Sequence, residues 1–334
     1  MLNKNRLPRI VVVTRKTRME NLRQRWATRG QMNFMFRQNK AHVAMKRRDM
    51  DVDAIMAEPE DDLISEFTEE FDTYHDAVKD IQSELDLGYP VQVIDREYLA
   101  TVGFDMCAVV VVVGQDGLVA NTAKYVGDVP IIGVNPDPDR IDGVLLPWRP
   151  ADVRQVVQRV IRGNYQVREV TLAEVQMHDE QRLLAFNDFY IGSRTHVSAR
   201  YELTVGGRSE EQSSSGILVS TGAGSTGWIS SVLNMTRGVC QYLNTNVGPE
   251  KSLQMDWDAH RLLWVVREPF RSQTTGIELV CGELSGVEEM MIESQMDSGG
   301  VIFSDGIEAD YLDFNGGAIA RIGIADQRAR LVVG

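Results

Sequence analysis

In the first 150 residues the apolar positions gather into short undivided runs set between long polar stretches. Residues 10–13 form a β-branched run that stops at Thr14-Arg15. Residues 90–94, Pro-Val-Gln-Val-Ile, read as a second strand, and residues 108–113 form a run of six apolar side chains ending at Gly114. A fourth covers 129–134 and closes on Asn135-Pro136. Such runs, bounded by turn residues, are what strands buried on both faces require. Residues 19–86 hold long stretches without Pro or Gly, and 118–126 follow a helical pattern, so helices are expected between the strands. Strand, helix, strand at this spacing predicts βαβ units and a parallel sheet.

Past Pro150 the pattern changes. Over 152–162 the side chains Val153, Val156, Val157 and Val160 share one face of an expected amphipathic helix. From Val170 onward come short alternating segments at 189–191, 200–205, 217–220, 262–266, 277–280, 290–292 and 318–324, separated by Gly, Ser and Asn turns, with one helix beginning near Thr226. This predicts an antiparallel, sandwich-like β region. The fold class expected is therefore α/β plus β: a Rossmann-like domain with a parallel sheet over 1–150, and an antiparallel β-rich domain over 151–334.

Composition narrows the class without changing it. The 334 residues are 43% hydrophobic and 25% charged, an ordinary globular balance. No apolar run nears the ~20 residues of a membrane span, so no membrane partner is expected. Cys107, Cys240 and Cys281 lack C-x-x-C spacing and argue against a disulfide framework or a zinc ribbon. The five histidines, His42, His75, His178, His196 and His260, show no metal-ligand spacing. The chain passes from Met1 almost directly into its first strand pattern, which leaves no space for a signal or transit peptide, so a cytoplasmic location is expected.

A net charge of −13 disfavours a nucleic-acid partner. The charge is nevertheless segregated. Residues 1–48 hold 14 Lys/Arg against the single acid Glu20, and residues 49–86 hold 15 Asp/Glu against the single base Lys79. Either these become helical faces that pair with each other, or Arg15, Lys16 and Arg18, directly after the first strand, face a phosphate-bearing ligand.

Four segments carry candidate chemistry. In Gly114-Gln115-Asp116-Gly117 a buried strand hands over to a helix, where glycines let the backbone approach a ligand and the free N–H groups of the first turn attract phosphate oxygens. The alternative there is a tight turn in which Asp116 caps a helix starting at Leu118. Residues 219–228, Val-Ser-Thr-Gly-Ala-Gly-Ser-Thr-Gly-Trp, make a small-residue loop that can approach a flat ligand closely, with Trp228 as a wall. Asn187-Asp188, wedged between Phe186 and Phe189, offers the donors and acceptors a ribose diol needs, or else an Asx turn opening a strand. Ser304-Asp305-Gly306 reads most simply as an Asp-Gly hairpin turn.

In this order the four motifs resemble the NAD kinase family, which is marked by Gly-Gly-Asp-Gly, an Asn-Glu pair, a Thr-Gly-Ser-Thr-Ala-Tyr-like loop and a late Asp-Gly. The resemblance runs over almost the whole chain and looks closest to the mitochondrial-type branch and its bacterial relatives. It rests also on Thr14-Arg15-Lys16-Thr17-Arg18, on residues 132–140, on Phe189-Tyr190-Ile191-Gly192, on Trp228 where other branches have Tyr, and on residues 313–320. It implies transfer of a phosphoryl group from ATP to the 2′-hydroxyl of NAD, giving NADP, with Mg²⁺ held by ligands the sequence does not assign. By match of motif, Asp116 is the catalytic residue beside the hydroxyl, and Gly114, Gly117, Arg15 and Lys16 border phosphates. Asn187, Asp188, Thr226, Gly227, Trp228, Ser231 and Asp305 bind NAD, within the 151–334 domain. The resemblance further implies a homo-oligomer, a dimer or tetramer.

Three residues depart from the pattern. Gln115 stands where the family has its second glycine, and a positive φ there would strain it. Ala223 lacks a hydroxyl, and Asp188 is shorter than Glu. A closed donor site at Gln115 would leave a non-catalytic NAD-binding protein, and a kinase acting on a lipid or sugar hydroxyl is the other alternative.

Overall fold

The computed structural model describes residues 7–26, 28–35, 37–38, 64–245 and 254–334. The chain divides into two compact units, Met1–Leu118 with Ile132–Tyr165, and Val119–Ile131 with Gln166–Gly334.

The first unit is built on strands β1 (Arg9–Thr14), β2 (Val91–Asp95), β3 (Cys107–Val113) and β4 (Ile131–Val134), in the order β2-β1-β3-β4. β1 runs parallel to both neighbours, with Ile10 opposite Val91 and Val109. All four apolar residues of β1 and five of β3 are fully buried, which is why these strands appear as unbroken β-branched runs. Helix α1 (Arg18–Arg25) opens on a capping box in which Thr17 and Glu20 each satisfy the other's backbone N–H. Helix α2 (Ser65–Glu84) buries Tyr74, Ala77, Val78 and Ile81, one face at helical spacing. Helix α3 (Asp116–Ala123) begins two residues before the expected start. Helix α4 (Val153–Ile161) buries the four expected valines, each worth about 1.5–2 kcal/mol of transfer free energy. The segregated charges pair where they are described: Arg15 with Glu70, and Arg18 with Glu66 and Glu70. Residues 39–63, with much of both runs, lie outside the described residues.

The second unit has two antiparallel sheets. Its strands in chain order are β5 (Gln166–Met177), β6 (Arg182–Ala185), β7 (Asp188–Ser193), β8 (Ala199–Val205), β9 (Arg208–Ser214), β10 (Ile217–Ser220), β11 (Arg261–Val266), β12 (Cys281–Ser285), β13 (Met290–Ser294), β14 (Gly300–Ser304), β15 (Tyr311–Asp313) and β16 (Ile319–Val333). One sheet runs β6-β5-β16-β13-β8-β9 and the other β12-β11-β10-β7-β14-β15. Phe189, Ile191, Ile217, Val219, Leu262 and Trp264 of the second sheet pack with Val175, Tyr201, Leu203, Ile292 and Ile322 of the first, a sandwich core. Alternate residues Tyr190, Leu218, Leu263 and Val265 face the other way and receive Ile229 of helix α5 (Trp228–Tyr242). The expected strand at 277–280 does not form; that stretch is irregular and the strand follows it as β12. Among the described residues no helix is long and apolar enough to cross a membrane.

Candidate functional site

In the first unit β3 delivers Asp116 to the first turn of α3. Its Oδ1 accepts the N–H of Leu145 at 2.8 Å and its Oδ2 that of Val144 at 3.1 Å. The carboxylate therefore grips a neighbouring loop and does not cap a helix at Leu118, which corrects that alternative. Residues 135–146 build the loop. Asn135 Oδ1 accepts the N–H of Asp137 in an Asx turn, and its Nδ2 donates to the carbonyl of Ile141. Gly143 adopts φ 64°, and a Cβ there would meet Asn135 Nδ2 at 2.7 Å, so only glycine fits directly before the two N–H groups that Asp116 accepts.

Gly114 sits against Arg15, with Gln115 exposed beyond it and Gly117 in open space. Gln115 has an ordinary negative φ, so the anticipated strain is absent. Arg15, expected beside a phosphate, pairs with Glu70 at 2.9 Å and lies over the Tyr74 ring, while Lys16 is turned onto Glu97 at 2.8 Å. Burial would raise Glu70, but its Arg18 and Arg15 contacts outweigh this and hold it below the usual carboxylate range. Arg15, Arg18, Arg140 and Gln115 share a cavity of about 540 Å³ with Glu66, Glu70 and Asp137. The cations there are already largely neutralised by carboxylates.

The second unit holds the other candidate group. Asp305, in the left-handed conformation at φ 55° and followed by Gly306 at φ 70°, forms the expected hairpin turn, closed by Ile307 N–H to Ser304 O at 3.0 Å. Its carboxylate is spent on backbone: Oδ1 accepts from Asn187 at 2.6 Å and Asp188 at 3.3 Å, and Oδ2 from Phe186 at 3.1 Å. With its side chain 3% exposed, Asp305 holds the segment carrying Asn187 and presents nothing itself, so the expectation that it touches a ligand is replaced by a supporting role. Asn187 is half-buried and its amide has no hydrogen-bond partner among the described residues.

Asp188 is buried, and its carboxyl likewise has no donor among the described residues. Burial, reinforced by the Asp305 charge, pushes it up to about 7. A carboxyl raised in the fold binds its proton more tightly there than in the unfolded chain. Its contribution is full below an unfolded value near 4 and is lost as pH rises through about 7, at a slope approaching 1.4 kcal/mol per pH unit for one proton. Asp188→Asn is expected to flatten the fall in stability between pH 5 and 7.5, read by urea unfolding. Equal slopes in the two proteins would overturn the assignment.

Loop 221–227 is fastened to the same segment. Thr221 donates from Oγ1 to Phe186 O at 2.6 Å and from N to Asn187 O at 2.9 Å. A Cβ on Gly224 would fall 2.1 Å from Asn187 O, and one on Gly222 1.9 Å from Asp256 O. Ser225 donates to Gly222 O and accepts from Met255 N–H, a structural serine. Thr226, Gly227 and Ser231 are exposed beside it. Trp228 stacks on Tyr190 at 5.8 Å and 12°, with the Arg267 guanidinium 5.2 Å from its ring centre. These three, with Phe303, Tyr311 and Arg194, line a cavity of about 520 Å³. Its aromatic walls suit a planar ligand, and two guanidiniums and the Glu308 carboxylate line it beside them.

The fold thus sorts the hydroxyl and amide side chains of this region. Ser220, Thr221 and Ser225 are used up internally, whereas Asn187, Asp188, Thr226 and Ser231 keep their capacity. The sequence reading missed Lys124, whose Nζ donates to Ser304 Oγ at 2.9 Å and lies 3.8 Å from Asp305. The signal available was one lysine ending an otherwise uncharged stretch, 117–124. Among the described residues no group of three or more His, Cys, Asp or Glu is placed to hold a metal ion, and no step is assigned to one.

No family model matches the chain. It is 24% identical to NAD kinase 2, mitochondrial, of Xenopus tropicalis, over 97% of this chain and 90% of that protein. Its fold is similar to that of an NAD kinase from Archaeoglobus fulgidus solved with ATP, at TM-score 0.53 and 20% identity, covering 77% of this chain and 89% of that one. It is also similar to that of yeast NADH kinase solved with NADH, at TM-score 0.53 and 14% identity, covering 99% and 84%. The resemblance carried by the motifs is thus matched over nearly the whole length by a curated sequence and in fold by two solved structures: the chain is similar to NAD kinases.

Proposed function

We propose that this chain transfers the terminal phosphoryl group of ATP to the 2′-hydroxyl of NAD, forming NADP. The observation that carries the reading is Asp188, a buried carboxyl with no donor among the described residues, next to an amide equally without a partner among them. An uncompensated buried acid is costly, and a vicinal diol supplies the donors and acceptors that Asp188 and Asn187 lack. Trp228, Thr226 and Ser231 add a flat wall and hydroxyls for the rest of the dinucleotide. Asp116 orients the 2′-oxygen as it attacks the γ-phosphorus, the bond from phosphorus to the bridging oxygen of ADP breaks, and the hydroxyl proton passes late to the carboxylate. Phosphoryl transfer asks mainly for positioning, so a carboxylate suffices as acceptor. Any metal travels with the donor's phosphates as part of the substrate. We also read the protein as a homo-oligomer acting on nucleotides, with no nucleic-acid partner.

Incubation with NAD, ATP and Mg²⁺, followed by an NADP-specific dehydrogenase assay, tests this; absence of NADP across ATP, other nucleoside triphosphates and polyphosphate would overturn it. The strain that would have favoured the closed-site alternative is absent at Gln115, whose φ is not positive. Gln115→Gly is accordingly expected to change turnover by less than about threefold, under 1 kcal/mol.

A further inference from the structure

Lys124 and Tyr125, the residues directly after α3, grip both ends of the loop 305–310. Lys124 Nζ donates to Ser304 Oγ at 2.9 Å and stands 3.8 Å from Asp305 Oδ2 and 3.9 Å from Asp310 Oδ2. The Tyr125 hydroxyl bonds the Asp310 carboxylate. The Lys124 side chain is only 2% exposed, and a buried cation is costly unless it is paired. Its nearest acid is the one whose two oxygens take the N–H groups of Phe186, Asn187 and Asp188. A carboxylate clamping three backbone donors acts best when ionised, yet Asp305 is buried, and burial favours its protonation. Lys124 supplies the opposing charge.

We infer that Lys124 is a positioning residue: through Ser304 and Asp305 it fixes the backbone of 186–188 and so the direction in which Asn187 and Asp188 meet the substrate's diol. The ligand part of this rests on the NAD kinase reading; the charge part does not. Among the described residues, the titratable groups that face Lys124 include Asp305, Asp310, Tyr125 and, behind Asp305, Asp188. Without the lysine, Asp305 holds its proton to higher pH, and raising pH then forces an uncompensated charge into the fold.

The test compares full-length wild type, Lys124→Met, and Lys124→Met with Asp305→Asn, by thermal unfolding at pH 5 and pH 8 and by steady-state kinetics at pH 8. The gap in melting temperature between wild type and Lys124→Met should be small at pH 5 and widen by about 5 °C or more at pH 8, and the double variant should remove that widening. In the kinetics, KM for NAD should rise about tenfold or more in Lys124→Met with the donor KM within about threefold. A gap equal at both pH values, or a double variant whose melting temperature falls as steeply from pH 5 to pH 8 as that of the single one, means the lysine only fills space and overturns the inference. So does an unchanged KM for NAD in an active enzyme. If wild type forms no NADP the functional reading falls by itself, and the unfolding arm still decides the role of Lys124.

Discussion

Asp116→Asn is expected to lower NADP formation by two to three orders of magnitude, about 3–4 kcal/mol of transition-state stabilisation, while leaving the protein folded. The substitution keeps size and shape. One of the two oxygens that now accept Val144 and Leu145 N–H becomes an amide nitrogen, and a donor facing a donor costs about 1–2 kcal/mol. In a chain of this size that lowers the melting temperature by only a few degrees, roughly 2–4 °C per kcal/mol. The chemical loss is larger because the amide cannot accept the hydroxyl proton and offers only one oxygen to both loop and substrate. The loop of 135–146 thus has a clear purpose: Asn135 turns it, Gly143 permits the αL bend, and the N–H groups that follow fix the carboxylate in one orientation. Precise placement of this kind is what phosphoryl transfer depends on. An Asp116→Asn protein that retained more than about a tenth of wild-type turnover would remove Asp116 from the chemistry.

The parts of the fold legible in the sequence are those where burial leaves little choice. β1 and β3 are covered on both faces, so every position is apolar and the run is visible. β10 and β11 serve the sandwich core on one face and α5 on the other, for the same reason. β9, Arg-Ser-Glu-Glu-Gln-Ser-Ser, was invisible because it is an edge strand whose inward Gln212 and Ser214 meet the Tyr201 hydroxyl, where an alternating pattern would have placed apolar side chains. β16 was seen only in its first part, because a register shift between Ile324 and Arg328 breaks the alternation. In the site, the motif residues were legible and their division of labour was not. Asp305 and Lys124 cooperate across some 180 residues, a juxtaposition only the folded sheet creates. Likewise, nothing local to Arg15 reveals that Glu70 already occupies its guanidinium.

Two alanine substitutions at glycines of the motifs should separate positions the protein itself fills from a position a ligand fills. At Gly224 a Cβ would stand 2.1 Å from Asn187 O and 2.6 Å from Ser220 Oγ, far inside contact distance and against backbone that Asp305 and Thr221 already hold. Gly224→Ala must therefore push the 223–227 turn off the Asn187 carbonyl, and overpacking of this kind costs about 1–3 kcal/mol. The expected result is a lower melting temperature together with weaker NAD binding, because the displaced peptide carries Asn187. At Gly117 a Cβ meets no atom of the chain within 4 Å, and its φ is not positive. It lies in the first turn of α3, so Gly117→Ala should leave stability unchanged or raise it by a few tenths to about 1 kcal/mol. Its activity should nonetheless fall by about tenfold or more, since the methyl group occupies space that the proposal gives to phosphate oxygens drawn by the free N–H groups of that turn. Melting curves and NADP-forming kinetics on the two variants decide the matter. If Gly117→Ala is as active as wild type, the space beside Gly117 is not where the donor's phosphates lie, and the match of this loop to the family's phosphate-binding motif fails at that residue.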